Sequence, residues 1–519
     1  MVKREQRGAI DTLQAHRQLA DALQDPGRYA WPVDQVQRIE THISTVLLAG
    51  EYALKLKKPL DLGFLNFVGL ERRRHFCEEE IRLNSRLAPR IYLRRVPIAG
   101  SPEDPRIDGE GAPIEHAVLM RRFPENELMN RLLRQGRLPA EAVELLADTV
   151  ADFHARIPSA GAESDHGSPG KVAGPLRDNF RQLAELSEAA PVRGELEALE
   201  RWCEGRLELH APLMRERRES GAVRECHGDL HLGNVAWHDG EVIVFDGIEF
   251  DPELRWIDTV NEIAFTVMDL DFLGASQLRH RFLDRYLERS GDYQGLKLLP
   301  LYAVYRALVR AKINGYQAVQ GQDPRGGESL REHVELAAAY TESRVPELAI
   351  TCGLPGAGKS TRARMLVEQG FVRLRSDVER KRLFGLDPWA RTDSGLFSGL
   401  YTPEATDGTY SRLLRLAEDV LQAGFSVVVD AAFPEAARRR PFRELARRLG
   451  CGFRILHIRA DEATLRKRVR RRALKGGDPS EADEAVLDAQ MSRAEPPDGE
   501  EAPFVETVDA SGENGSSQE

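Results

Sequence analysis

The sequence predicts two domains of different class, an α+β domain followed by an α/β domain with a parallel sheet, and three observations carry that expectation. At 519 residues the chain exceeds what one hydrophobic core holds, since single cores stop growing beyond about 250–300 residues. Strand-like runs at 46–56, 90–98 and 115–123 mix with helical patterns at 9–24 and 71–87, and a mainly helical region follows Asp258 and reaches Ser343. At Leu348 the pattern changes abruptly to LAITCGLPGAGKST, an apolar strand, a glycine-rich loop and the start of a helix.

Composition bounds the function classes. A hydrophobic content of 41% with 30% charged residues is that of an ordinary soluble globular protein. Five cysteines, Cys77, Cys203, Cys226, Cys352 and Cys451, are scattered without paired spacing, which predicts reduced thiols in a cytoplasmic setting. MVKREQRGAIDTLQAHRQ at the N-terminus has no apolar core of signal-peptide length, and no later run is long enough to span a bilayer, so no membrane partner is expected. A net charge of -10 argues against broad nucleic-acid binding, although LRKRVRRR at 465–472 is a local basic face.

Taken in order, residues 9–24 place Ile10, Leu13, Leu19 and Leu23 at helical spacing, ending before Asp25-Pro26-Gly27. VLLAGEYALKL, 46–56, reads as a hairpin turning at Ala49-Gly50-Glu51, with Lys55 near its end and Lys57 on the same strand face by alternation. A helix follows over 71–87 and contains CEEEIRLN, with Glu79 and Glu80 either a solvated face or partners of a strand lysine. Strands at 90–98 and 115–123 flank a Pro/Gly/Asp-rich loop at 101–113. Residues 138–157 are helical in pattern, and 160–174, rich in Gly, Ser and Pro, read as a loop.

The run CHGDLHLGNVAWHDGEVIVFDG, 226–247, carries the chemistry of the first domain. Phosphoryl transfer needs a carboxylate near the attacking hydroxyl and oxygen ligands that hold Mg²⁺ on the phosphates, because positioning and charge neutralisation supply most of the catalysis. Asp229 fits the first role; Asn234, five residues on, and Asp246, at the end of the apolar run 242–245, fit the second. The competing reading is a zinc site at Cys226, His227, Asp229 and His231, but no second Cys/His cluster at a familiar spacing completes a tetrahedral set. His227 reads as a packed residue that holds the loop.

HGDLHLGN followed by VFDG resembles the catalytic and metal loops of the aminoglycoside phosphotransferase and choline kinase family. The resemblance implies a two-lobed, protein-kinase-like fold, with Asp229 as base, Asn234 and Asp246 as metal ligands, and 120–123 as the hinge between lobes. It also implies a strand lysine on the nucleotide phosphates, Lys55 or its neighbour Lys57, paired with Glu80, or next Glu79, on the following helix. No G-x-G-x-x-G precedes the lysine; His42-Ile43-Ser44-Thr45 stand there instead. KLKKPLDLGFLNFVGLERRRHFCEEEIRLN further resembles a bacterial subgroup in which this domain is fused to a P-loop domain. Asp258 is a candidate brace for the catalytic loop.

In the second domain Gly353, Leu354, Pro355, Gly356, Ala357, Gly358, Lys359, Ser360 and Thr361 fulfil G-x-x-x-x-G-K-[ST] between a strand and a helix. Glycine's freedom lets backbone N–H groups converge on phosphate oxygens, and the helix N-terminus adds favourable charge. Lys359 would reach the outer phosphates and Ser360 the Mg²⁺. Strand 425–429 delivers Asp430 to a Walker-B-like position on the magnesium shell, and Asp377 in LRSDVERKRLFG follows a further strand. This text resembles the P-loop kinases of the gluconate kinase, polynucleotide kinase and zeta-toxin group. That likeness implies that Asp377 orients or deprotonates the acceptor hydroxyl, with Arg380 and Arg382 either near the acceptor or on a solvated helix face, and Arg468, Arg471 and Arg472 as lid candidates, a nucleic-acid patch being the alternative.

The expected architecture is therefore a kinase-like domain over 1–345, a P-loop NTPase domain over 346–510 and a disordered tail, 511–519. The expected activity is ATP- and Mg²⁺-dependent phosphorylation of small hydroxyl-bearing acceptors at two sites. Two alternatives stand beside it: a regulatory or toxin-like P-loop module, and a polynucleotide 5′-hydroxyl kinase. The sequence leaves the oligomeric state open.

Overall fold

The computed structural model describes residues 11–63, 65–161, 163–390, 402–475 and 483–511. Ile10 of the first expected helix and the expected tail from 512 lie outside the described residues. The chain divides into two compact units, Met1–Ala142 with Phe153–Asp178 and Ala211–Asp269, and Val143–Asp152 with Asn179–His210 and Leu270–Glu519.

In the first unit β1 (Val36–Glu40), β2 (Ser44–Ala49), β3 (Tyr52–Lys57), β4 (Tyr92–Gly100), β5 (Pro105–Ile107) and β6 (Pro113–Arg121) form an antiparallel sheet in the order β1-β2-β3-β6-β4-β5. The expected hairpin is β2–β3, with Val46 opposite Lys55. Its turn requires Gly50, whose φ is 60° and where a Cβ would lie 2.4 Å from the Pro32 carbonyl oxygen. Alternation divides β3 into two faces. Leu54 and Leu56 join Leu47, Val96, Ile98 and Leu119 in an apolar cluster beneath Leu19 of the helix Leu13–Ala22 and Leu23, which caps its C-terminus. Lys55 and Lys57 point the other way, to the helix Leu70–Asn84, whose Cys77, Glu80, Leu83 and Asn84 are buried.

Farther along, β7 (Val223–Glu225) pairs with β10 (Trp256–Asp258), and β8 (Val235–His238) with β9 (Glu241–Val244). These two ribbons bracket the loops 226–234 and 245–251. One expectation is corrected: the stretch 160–174 is not loop throughout, because a helix, Pro169–Ala184, begins inside it. Pro169 opens that helix, and proline's fixed φ suits a first turn, so a residue read as a breaker acts as an initiator.

The second unit contains β11 (Glu347–Cys352), β12 (Val372–Arg375), β13 (Val427–Asp430), β14 (Gly452–Arg459) and β15 (Val505–Asp509), all parallel in the order β12-β13-β11-β14-β15. Val427, Val428 and Val429 are fully buried, as a central parallel strand covered on both faces requires. Ala349, Val428, Leu456 and Ile458 of the sheet pack with Ala363 and Leu366 of the helix Lys359–Glu368 and with Leu465 and Val469 of the helix Glu462–Lys475. The P-loop, Asp430 and Asp377 all lie at or just beyond the carboxyl ends of adjacent strands, where ligands of open α/β sheets bind.

Beyond β13 the backbone is pinned by one buried arginine. Arg439 donates to both oxygens of Glu501 (3.0 and 2.7 Å) and to the carbonyls of Phe433 (3.0 Å) and Glu495 (2.9 Å). Replacing it would strand a buried carboxylate and two carbonyls. Arg439→Met is expected to lower stability by about 3 kcal/mol, read as a shift in the urea midpoint at unchanged slope.

Candidate active sites

The first site is built around two lysines on one strand face. Lys55 Nζ donates to Glu80 Oε1 (2.8 Å) and to the Asp246 carboxylate, while Lys57 Nζ donates to Glu80 Oε2 (2.7 Å) and to Glu249. Burial alone would raise the pKa of Glu80; the ammonium groups on its two oxygens instead hold it down, to about 2. Burial likewise disfavours the charge on Lys55, and Asp246 and Glu80 overcome it, so Lys55 stays protonated. Lys57 has no exposed surface and lies 4.9 Å from the Phe67 ring centroid, so it is a packing lysine. Lys55 is the one that reaches Asp246, whose side chain is 46% exposed. Glu79 pairs with Arg82 rather than with either lysine.

Asp246 has a φ of 63°, uncommon for a residue with a side chain. Its N–H donates to the Tyr92 hydroxyl (3.0 Å), and the Gly247 N–H to Asn84 Oδ1 (2.7 Å). In the other loop Asn234 Nδ2 donates to Asp229 Oδ2 and to its carbonyl, both at 3.0 Å, which leaves the amide oxygen to face a cation. The loops are tied together where His227 Nε2 donates to the Phe245 carbonyl (2.9 Å) and Phe245 N–H to the Asn234 carbonyl (3.0 Å). Burial lowers the pKa of His227, keeping the ring neutral, in agreement with a holding role. The half-exposed carboxylate of Asp246, the partly exposed carboxylate of Asp229 and the amide oxygen of Asn234 are the hard oxygen donors that magnesium takes.

Sequence reasoning missed what braces this loop. Glu262, buried on the helix Thr259–Phe272, accepts the N–H groups of His227 (2.7 Å) and Gly228 (2.9 Å), and Asp269 on the same helix accepts that of Leu232 (2.8 Å). Asp258, the expected brace, pairs instead with Arg217 at 2.8 and 2.9 Å. The zinc alternative, already disfavoured by the spacing, gains no support from the geometry. Among the described residues Cys226 shares a buried cluster with His154 and Glu262, and not with His227, Asp229 and His231.

The second site is a cavity of about 390 Å³ within the second unit. Pro355, Gly356, Gly358, Lys359, Ser360 and Thr361 line it, with Asp377 and Asp430. Gly353, Leu354 and Ala357 do not line it but shape the loop. A Cβ at Gly353 would lie 2.4 Å from the Ile458 carbonyl, Leu354 O accepts from Lys359 Nζ (2.9 Å), and Ala357 is buried. Burial lowers the pKa of Lys359. Asp430 Oδ2 is buried with no hydrogen-bond partner among the described residues, an oxygen suited to a magnesium shell.

Of the basic candidates, Arg380, Arg468 and Arg472 line the cavity, whereas Arg471 does not and Arg382 is engaged with Glu379 and the Glu288 carbonyl. Arg375, Tyr410, Arg438 and Arg493 also line it and were not foreseen. Helical spacing could have found Asn84, four residues after Glu80, but no local pattern marks the others.

Comparison with known proteins accords with this geometry. A model described as "Phosphotransferase enzyme family" matches residues 64–299, and one described as "AAA domain" matches 348–497. An uncharacterized protein of Mycobacterium tuberculosis is 32% identical over 409 residues, covering 78% of this chain and 80% of its own length, and its Mycobacterium bovis counterpart matches equally. The chain belongs to their family. It is a kinase, with a phosphotransferase-type domain and a P-loop kinase domain. Among solved structures, Plasmodium vivax ethanolamine kinase is 10% identical, covering 59% of this chain and 82% of its own, with a TM-score of 0.35. A Sinorhizobium meliloti gluconokinase is 21% identical over 32% of this chain and 83% of its own, with a TM-score of 0.23. Among the described residues no helix is long and apolar enough to cross a membrane.

The brace predicts a pH signature. Burial opposes ionisation of Glu262, but His154, whose Nε2 lies 3.7 Å from Oε2, and the His227 N–H on that same oxygen outweigh it and hold the carboxyl at about 2. A depressed carboxyl adds stability above its unfolded value near 4.5 and loses it as pH falls toward 2. Glu262→Gln is expected to cost on the order of 3 kcal/mol at pH 7, with the difference from the parent chain fading between pH 4.5 and 2 in acid melts.

Proposed function

We propose that this kinase is bifunctional and transfers the terminal phosphoryl group of ATP to small hydroxyl-bearing molecules at two separate sites, one in a module over 1–345 and one in a module over 346–510. One observation supports it above others: each unit holds a buried lysine set among carboxylates, Lys55 touching Glu80 and Asp246, and Lys359 in a cavity with Asp377 and Asp430. At the first site Lys55, kept charged, binds the nucleotide phosphates, while Asp229 accepts the proton of the acceptor hydroxyl as it attacks. Asn234 and Asp246 would hold Mg²⁺, which when bound neutralises charge on the phosphates. At the second site the loop amides and Lys359 bind the phosphates, Ser360 and Asp430 would hold the metal, and Asp377 takes the acceptor proton. Arg468 and Arg472, one helical turn apart, supply fixed positive charge beside the transferring group.

The test uses the full chain, labelled ATP and a pool of small alcohols and polyols. Asp229→Asn should lower transfer to one set of acceptors by about 10³-fold with nucleotide binding retained, and Lys359→Ala should weaken nucleotide binding and transfer for a second set. If only Lys359→Ala had an effect, the first unit would be a binding module and not an enzyme. Transfer that required an oligonucleotide and fell steeply with salt would identify a polynucleotide kinase instead.

A further inference from the structure

Asp430 is supported from outside the stretch that the AAA model matches. Within the second unit the helix Ser276–Ser290, which lies in the stretch matched by the phosphotransferase model, carries Asp284 and Glu288 one turn apart, both buried. Arg373 and Arg375, two apart on β12, share one strand face. Arg373 donates to Asp284 (2.9 Å) and lies 3.6 Å from Glu288, and Arg375 Nη1 donates to Glu288 Oε1 (3.2 Å). Glu288 also accepts from Arg285 (3.2 Å). Arg375 lines the P-loop cavity, and its Nε stands 3.7 Å from Asp430 Oδ2, the buried oxygen without a hydrogen bond.

One guanidinium thus stands between two buried carboxylates, hydrogen-bonded to Glu288 and in only a loose ion pair with Asp430, without a hydrogen bond to it. In a poorly solvated site a closed Arg375–Asp430 pair would compete directly with a cation for the same oxygen. We propose that Glu288 is a positioning residue for the P-loop site: it holds Arg375 back from Asp430 and so keeps that carboxylate open to the metal. The inference rests on the reading of Asp430 as a metal-shell ligand. It makes a helix outside the AAA match part of the second site.

The measurement is binding of a fluorescent ATP analogue to the full chain with Mg²⁺ and with a chelator, the signal of the Lys359→Ala chain being subtracted. The readout is the ratio of the two affinities. Glu288→Gln is expected to lower that ratio about tenfold, with metal-free affinity within about twofold of the parent. Adding Arg375→Gln should restore much of the ratio, because the competitor is gone; a merely structural role would make the double variant worse. Asp284→Asn, which strips a partner from Arg373 and not from Arg375, should lower the melting temperature without moving the ratio.

Should Glu288→Gln fail to fold, Arg375→Gln alone decides: a held or raised ratio supports the proposal and a fall overturns it. Equal behaviour of Glu288→Gln and Asp284→Asn, or no rescue by Arg375→Gln, also overturns it while leaving the P-loop reading intact. Absence of any magnesium-dependent, Lys359-dependent binding in the parent chain would overturn both.

Discussion

Two ammonium groups buried on one face of β3 constrain the first unit more than any other feature. A charge taken out of water must be met by opposite charge and filled hydrogen bonds. Here the compensation comes from the helix after the hairpin (Glu80), from the loop after β9 (Asp246) and from the segment beyond it (Glu249). Sheet, helix and the loop that carries Asp246 are thereby brought to one place by electrostatic need, and apolar packing on the opposite face of β3 fixes the register that presents both lysines together. Lys57 answers to structure and Lys55 to the half-open carboxylate, so neighbouring residues of one type divide two duties by depth of burial.

The second unit solves a related problem with backbone in place of side chains. Its loop follows β11 where Gly353 passes too near the Ile458 carbonyl for any side chain, and Gly356 too near that of Leu465. Close approach of this kind is what a loop needs if its backbone amides are to be turned toward one anion. Acidic groups at the ends of the neighbouring strands then face cationic side chains from helices distant in sequence, a cavity suited to an anion with its metal.

How much of this was legible depended on whether the determining residues were local. The hairpin, the P-loop and the spacing of Asp229, Asn234 and Asp246 are written in short windows, since turn chemistry, glycine freedom and strand alternation act over a few residues. Lys55 and Lys57 could not be separated by alternation, because both lie on one face and only three-dimensional depth divides them. Glu262 was invisible for a similar reason: its helical surroundings read as core, and only the fold brings its carboxylate to two amides 34 and 35 residues earlier. Asp258, nearer in sequence and equally acidic, was claimed by Arg217. Pro169 shows the opposite error, a residue that breaks helices in their interior and begins them at their ends.

Neither compact unit is one continuous stretch; each is assembled from three. A chain emerging from the ribosome therefore holds 143–152 and 179–210 without their later partners until residues past 270 are made, and long-range closure of this sort slows folding and prolongs exposure of apolar surface. Neither half could be trimmed or exchanged by a single crossover without tearing segments from the other, so the two units are inherited together.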